Sequence, residues 1–206
     1  MSQSEDFPST FSIQTEHLHI SYFQPDDPTH TAFLVQLWTT EDFIQSCGKP
    51  GIVNTEKAAN FLRNHVQAGY KRNGYHQFLV SLKSHNGATL SESKPIGIVS
   101  LIKGEPPNAY LRPDIGYTIL PDESGKGYAT EAAAGLLDYA QKYLGIDGVF
   151  GFCDKDNKRS ARVLEKIGLE YRGQRKLRVF GGNESAVYAL KGMDQDLKLY
   201  GIGDDE

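Results

Sequence analysis

The sequence has few of the residues that mark metal-binding and nucleic-acid-binding proteins. Its two cysteines, Cys47 and Cys153, form neither a CxxC pair nor a Cys/His metal spacing, so we expect a reducing compartment and no metal. Lys and Arg number 22 against 26 Asp and Glu, which gives a net charge of −4. Nucleic acid is therefore not an expected partner, because phosphate neutralisation needs clustered cations.

Long apolar runs are also missing. No run approaches the roughly 18 apolar residues that a membrane-spanning helix needs, and residues 1–10 lack the apolar core of a signal peptide. We therefore expect a cytoplasmic protein with no membrane partner. The 206 residues, 39% hydrophobic and 23% charged, suit one globular domain. We place this domain at 11–190, between a disordered tail at 1–10 and an acidic, loosely docked tail at 191–206.

Hydrophobic periodicity divides the chain into strand-like and helix-like segments. Alternating patterns predict strands at Phe11–Tyr22, Phe78–Leu82, Pro95–Ile102, Arg112–Leu120, Gly148–Cys153, Leu169–Phe180 and Ser185–Leu190. Helical spacing and caps predict helices at Thr29–Thr39, from Asn54 or Thr55 to Tyr70, at Tyr128–Leu144 and from Asn157 to Gly168. Early hairpins and a later helical crossover indicate a mixed α/β (α+β) sheet.

A glycine turn separates the strand Arg112–Leu120 from the helix that begins at Tyr128. Such a turn exposes successive backbone N–H groups, and the first helical turn adds unsatisfied donors and a positive dipole end. Gly125 and Gly127 allow a diphosphate to approach the backbone, and Lys126 can add a point charge. The segment therefore predicts a phosphate-bearing ligand without identifying which one.

Two common phosphate motifs do not fit this turn. A Walker loop needs Lys and Ser or Thr after its second glycine, whereas Tyr128 and Ala129 follow Gly127. A dinucleotide fingerprint needs a third glycine where Thr130 stands. A glycine pair that serves only as a turn, and a nucleotide-binding domain of another kind, stay open as alternatives at this point.

Two longer motifs make the pattern more specific. They are Leu120-Pro121 with Gly125-Lys126-Gly127-Tyr128-Ala129-Thr130-Glu131-Ala132, and Asp156-Asn157-Lys158-Arg159-Ser160-Ala161 continuing to Gly168. With the segments Thr15-Glu16-His17-Leu18 and Asp114-Ile115-Gly116-Tyr117, this order resembles the GNAT superfamily of N-acetyltransferases, specifically its RimJ/RimL-like branch. The resemblance implies a GNAT fold, whose central, mostly antiparallel sheet is flanked by helices and splays between Arg112–Leu120 and Gly148–Cys153.

The resemblance implies acetyl-coenzyme A as co-substrate. The backbone of Ile119 and Leu120 is expected to bind the pantetheine amides. The pyrophosphate is expected on the N–H groups of Gly125, Lys126, Gly127, Tyr128, Ala129 and Thr130. Asn157 is expected on the pantetheine side, and Ser160 near the sulfur.

The resemblance also implies direct attack of a neutral amine on the thioester, in a ternary complex and without a covalent enzyme intermediate. Asp114 is the candidate base, directly or through water, and Ser160 is the candidate proton donor to the thiolate. A backbone N–H at the splayed strand is expected to stabilise the oxyanion. The acceptor stays open among a protein N-terminus, an aminoglycoside-like drug, a polyamine and a free amino acid, and a homodimer is compatible.

Three residues depart from the family pattern. Asp122 replaces a common Arg or Gln near the diphosphate, Leu164 replaces a common Tyr acid, and Leu169 replaces a common Phe. The missing Tyr keeps a second hypothesis in view, namely a coenzyme A-binding protein of the same fold that acts as a sensor or interaction partner without catalysis.

Overall fold

The computed structural model of this chain describes residues 7–203. Two compact units divide these residues, each assembled from two separate stretches of chain. The first contains residues up to 100 together with 117–136, and the second contains 101–116 together with the residues from 137 onward. Within the described residues, no helix is long and apolar enough to cross a membrane.

The chain forms eight strands and six α-helices within the described residues. The strands are β1 (Ser12–Gln14), β2 (Leu18–Tyr22), β3 (Gln77–Leu82), β4 (Lys94–Ile102), β5 (Asp114–Ile119), β6 (Phe150–Asp154), β7 (Leu169–Leu177) and β8 (Asn183–Leu190). The helices are α1 (Pro28–Trp38), α2 (Glu41–Cys47), α3 (Thr55–Phe61), α4 (Ala68–Asn73), α5 (Tyr128–Tyr143) and α6 (Lys158–Lys166).

The strands belong to one mixed sheet that helices flank, which confirms the predicted fold class. In the first unit the strand order is β1-β2-β3-β4-β5, and in the second it is β5-β6-β8-β7, with β5 divided between the two. The pairs β1–β2, β2–β3, β3–β4, β6–β8 and β7–β8 are antiparallel, whereas β5 and β6 run parallel. The sheet is therefore mostly antiparallel, as expected.

The first strand prediction, Phe11–Tyr22, is wrong in one respect. The segment folds back on itself as the hairpin β1–β2, in which the N–H of Thr15 donates to the carbonyl of Leu18 at 3.0 Å. The polar residues 15–17 interrupt the alternation and supply the turn. β2 then buries Leu18 and Ile20 in the core of the first unit and pairs with β3, whose Val80 lies opposite Ile20.

Helix caps lie close to the predicted positions in the first unit. The side chain of Asn54 accepts a hydrogen bond from the N–H of Lys57 at 2.9 Å and so caps α3. The helix does not end at Tyr70 as predicted, because a π-helical segment at Leu62–Gln67 joins α3 to α4, which continues to Asn73. Sequence reasoning missed the short α2, which Thr40 caps and which buries none of its side chains.

The parallel contact of β5 with β6 is short. Its only register pair within the described residues is Asp114 opposite Phe150, and the N–H of Phe150 donates to the carbonyl of Pro113 at 2.8 Å. The ladder ends after this pair, which is the separation of two parallel strands that the resemblance predicts. By contrast, β6 pairs with β8 along its length, from Phe150 to Asp154.

Both predicted tails contain packed residues. Positions 1–6 lie outside the described residues, but the ring of Phe7 packs 5.5 Å from that of Tyr22 and 5.1 Å from that of Tyr70. After β8, the side chains of Met193, Leu197 and Ile202 are buried. Loose docking is therefore not what these three residues show, because they belong to the second unit and are buried in it. The single domain at 11–190 stays a prediction.

Candidate functional site

The predicted phosphate turn lies in the first unit and has an open backbone. Gly125 and Gly127 are exposed and have φ values of 80° and 95°, a region that side chains rarely adopt. Apart from the chain neighbours of each glycine, no described residue comes within 4 Å of a Cβ built on either one. α5 begins at once with Tyr128, and the carbonyl of Gly127 accepts from the N–H of Glu131 at 3.0 Å. The N–H groups of Tyr128, Ala129 and Thr130 thus belong to the first helical turn, where the helix itself provides no acceptor.

The ammonium group of Lys126 is bound to a neighbouring carboxylate. Its Nζ lies 2.7 Å from Oε2 of Glu123, whose Oε1 accepts from Lys94 Nζ at 3.1 Å. Hydrogen bonds from Lys126 and Lys94 lower the pKa of Glu123, and the bond to Glu123 raises the pKa of Lys126. The three groups carry a net positive charge of one, which the neighbouring carboxylate of Asp122 balances.

The two backbone groups of Leu120 already have protein partners. Its N–H donates to the carbonyl of Ile96 at 2.8 Å, and its carbonyl accepts from the N–H of Glu123 at 3.0 Å. The half-buried Ile119 is the neighbouring candidate for the pantetheine amides. Leu120 also lines a cavity of about 330 Å³ with Lys94, Pro95, Asp122, Glu123 and the α1 residues Thr29, Ala32, Phe33 and Gln36.

In the second unit, the predicted base Asp114 is a partly buried carboxyl group. It opens β5 beside Phe150, and desolvation raises the pKa of its carboxyl to about 7. A base whose pKa lies near the working pH is partly ionised there and still binds a proton well. The sequence could nominate the residue but not this burial, which comes from the strands packed around it.

Asn157 and Ser160 form the N-terminus of α6, also in the second unit. The Oδ1 atom of Asn157 accepts from the N–H of Ser160 at 3.0 Å, so Asn157 caps the helix. The Ser160 hydroxyl makes a side-chain hydrogen bond with the thiol of Cys153. Desolvation nevertheless raises the pKa of the buried Cys153 thiol, which stays protonated at neutral pH.

Leu164 fills the space above a glycine of β6. A Cβ at Gly151 would stand 2.4 Å from Cδ2 of Leu164 and 3.0 Å from Cδ2 of Leu169. Leu164 is 1% exposed. Leu164 thus contributes to packing. Leu164 and Leu169, which both depart from the family pattern, pack against the same glycine, Gly151.

Within the described residues, no group of three or more His, Cys, Asp or Glu side chains could hold a metal ion.

Comparison with known proteins places the fold and these motifs in a family. A family model described as an acetyltransferase (GNAT) domain matches residues 17–170. The chain belongs to the GNAT acetyltransferase family. Its enzymes generally depend on an acyl-coenzyme A.

Individual GNAT relatives match shorter stretches. An uncharacterized N-acetyltransferase, YnaD of Bacillus subtilis, is 37% identical over 71 residues, 34% of this chain and 42% of that protein. Spermidine N(1)-acetyltransferase of Escherichia coli K12 is 28% identical over 83 residues, 40% of this chain and 44% of that enzyme. The matched stretch thus spans less than half the length of these curated relatives.

A solved GNAT structure agrees with the fold along nearly the whole chain. RimL, a ribosomal L7/L12 α-N-protein acetyltransferase solved with coenzyme A, superposes with a TM-score of 0.68 over 87% of this chain and 97% of its own. Sequence identity is 20%, so this likeness shows the fold.

Sequence reasoning missed one polar cluster, which lies at the start of α5 beside the predicted phosphate turn. Glu131 accepts hydrogen bonds from Thr15 and His17, 116 and 114 positions away. All three residues lie within the motifs that carry the family resemblance. Their pairing had no signal in one sequence, because contacts over such separations depend on the tertiary fold.

Proposed function

We propose that this chain transfers an acetyl group from acetyl-coenzyme A to a primary amine by direct attack in a ternary complex. The observation that carries the proposal is the open backbone at Gly125 and Gly127, which leads directly into the first turn of α5. A diphosphate fits there because both glycines lack the Cβ that would fill the space. Family membership and the coenzyme A bound by RimL support the same ligand.

The chemistry assigned to the chain's own residues is proton transfer and orientation. Acetyl-coenzyme A supplies a thioester, whose C–S bond breaks as the new C–N bond forms. Asp114 takes the proton that the attacking amine releases, directly or through one water. Ser160 gives a proton to the departing thiolate and is resupplied from solvent. The backbone of Ile119 and the turn residues Gly125–Thr130 bind and orient the co-substrate.

The acceptor belongs to the class of primary amines. RimL acts on a protein N-terminus, and the Escherichia coli relative acts on spermidine, so both a protein N-terminus and a small polyamine are the first amines to screen. We also propose that the reaction takes place in the cytoplasm, since both Cys47 and Cys153 are free.

Thermal unfolding with and without acetyl-coenzyme A tests the ligand. At about 100 times the Kd, a ligand that binds only the native state adds roughly 2.7 kcal/mol. For a chain of this size we expect the unfolding midpoint to rise by roughly 5 to 10 °C. ATP and NAD serve as controls and should raise it far less. An unchanged midpoint at millimolar acetyl-coenzyme A contradicts the proposal.

Ser160→Ala separates an enzyme from a coenzyme A-binding sensor of the same fold. We expect kcat to fall about tenfold, because water replaces the hydroxyl poorly as a proton donor, while the Kd for coenzyme A stays the same. Ser93→Ala is the matched control, since Ser93 is exposed and its Oγ donates to the carbonyl of Thr89 at 2.9 Å. If the wild type binds coenzyme A tightly but acetylates no amine, the result favours the non-catalytic sensor. Leu164, which stands where a Tyr acid is common, is the residue on which that second hypothesis rests.

A further inference from the structure

The side chain of Glu131 joins α5 to the turn between β1 and β2, formed by residues 15–17 and called here the 15–17 turn. Its Oε1 accepts from the hydroxyl of Thr15 at 2.6 Å and from the N–H of His17 at 2.7 Å. Its Oε2 lies 2.9 Å from Nδ1 of the His17 ring. Both carboxylate oxygens are therefore engaged by this turn, and one bond reaches its main chain.

Other contacts hold the same two segments together. Gly135, one helical turn beyond Glu131, permits a close approach, because a Cβ there would stand 2.7 Å from Cγ2 of Thr15. The ring of Tyr128, the first residue of α5, lies 6.2 Å from that of His17. The ammonium of Lys83 bonds the carbonyl of Thr15 and so fixes the turn from β3. The 15–17 turn is thus held in place by Lys83 and contacts the first two turns of α5.

Glu131 is ionised at neutral pH. Desolvation opposes ionisation, but hydrogen bonds from Thr15 and from the main chain and ring of His17 outweigh it, and the pKa of Glu131 is lowered. A diphosphate at Gly125–Thr130 has the same sign of charge, so electrostatic attraction cannot be what Glu131 contributes to its binding. Its contribution has to come from attachment, through the bonds to the 15–17 turn.

We propose that Glu131 is a positioning residue that fixes the first turn of α5, and with it the N–H groups of Tyr128–Thr130, for the diphosphate of coenzyme A. The assignment rests on the proposed function. Donors held in place bind an anion without being ordered at that moment, which lowers the cost of binding. Loss of the attachment therefore weakens coenzyme A binding although a repelling charge has been removed.

The test is the Kd for coenzyme A of wild type, Glu131→Ala and Glu131→Gln, measured by calorimetry well below each unfolding midpoint. We expect E131A to raise the Kd about tenfold, from the loss of charge-assisted hydrogen bonds. The Gln amide oxygen keeps the bonds from Thr15 and the His17 N–H, so E131Q should lose less. If charge repulsion dominates, both variants bind more tightly, and the proposal is overturned.

Further readouts separate positioning from simple destabilisation. The KM for acetyl-coenzyme A should rise in E131A while kcat at saturation stays within about twofold. The loss should appear with 3′-phospho-ADP, which has the diphosphate, and not with pantetheine, which lacks it. Asp138→Ala is the control, because it removes a carboxylate of α5 whose partner is the surface residue Lys142, at 2.8 Å. Its Kd should equal that of wild type.

Thr15→Val provides an independent variant, because it removes one donor to Glu131 and keeps the size of the side chain. We expect a Kd about threefold higher, and no additional loss in the double variant with E131A, since both act through one attachment. T15V carries the test should E131A fail to fold. If the wild type binds coenzyme A and both T15V and E131A bind it with the same Kd, this inference alone is overturned. If the wild type does not bind coenzyme A, the proposed function is overturned as well.

Discussion

Asp114→Asn should lower kcat/KM for acetyl transfer by two to four orders of magnitude, the range that a lost general base typically costs. In the wild type, kcat/KM should rise with pH through an apparent pKa near 7, because desolvation raises the pKa of Asp114 to about 7. The variant should lose this limb of the pH profile. Initial rates between pH 5.5 and 9, with a fixed amine, provide the measurement.

The same substitution should stabilise the protein at high pH. Asp114 is an acid whose pKa is higher in the folded state than the unfolded value of about 3.9, so the folded state binds the proton more tightly. Wild-type stability should therefore fall as pH rises from about 4 to about 7 and then level off. Asn has no such titration, and we expect D114N to gain about 2 kcal/mol at pH 8, half of the full linkage value because Asp114 is partly accessible.

Urea unfolding of both proteins at pH 5, 6, 7 and 8 tests this linkage. Asp147→Asn is the control, since Asp147 is exposed and pairs with Arg112 at 3.1 Å. A gain for D114N that does not grow with pH contradicts the burial of an ionisable carboxyl at this position. A gain in stability together with a loss of turnover is the expected signature of a buried base, because its environment disfavours the charge that catalysis uses.

Gly127→Ala should raise the Kd for acetyl-coenzyme A about a hundredfold. The residue has φ of 95°, and its Cβ position is open among the described residues, so the new methyl group occupies the space proposed for the diphosphate. The strained backbone also reorients the N–H groups that open α5. Calorimetry with coenzyme A gives the Kd, and thermal unfolding without ligand gives the loss of stability that the backbone strain causes.

Gly87→Ala is the matched control for this prediction. Gly87 has φ of 86° and an equally open Cβ position among the described residues, but it lies in the polar loop after β3. Both variants should lose similar stability from backbone strain, of the order of 1 to 3 kcal/mol. Only G127A should lose affinity. Equal Kd values for the two variants place the diphosphate elsewhere.

The elements of the site that sequence could predict are local ones. Helix α5 was predicted from the spacing of its apolar residues, and its start at Tyr128 follows directly from the glycine turn. The cap at Asn157 was predicted in the same way. Each of these features is decided by residues within a few positions of one another, where backbone preference and periodicity act.

Two segments differ from what their local sequence predicts. The alternation of Phe11–Tyr22 fits one strand as well as two, and only pairing with β3 makes β2 a core strand. Residues 191–206 are expected to be loosely docked because they form a chain terminus, yet Met193, Leu197 and Ile202 are buried. Neither outcome could be predicted without the surfaces that these residues cover.

By itself, the sequence determined the mixed sheet, the glycine turn before α5 and the residue types that the proposed acetyl transfer uses, because turn chemistry and hydrophobic period are short-range properties. Only the tertiary structure decided how those residues are tuned. It partly buries Asp114 and so raises its pKa, pairs Lys94 with Glu123 across 29 positions, and joins Glu131 to Thr15 across 116 positions. Desolvation and hydrogen-bond geometry depend on which distant segments the fold brings together, and one chain's sequence does not specify them locally.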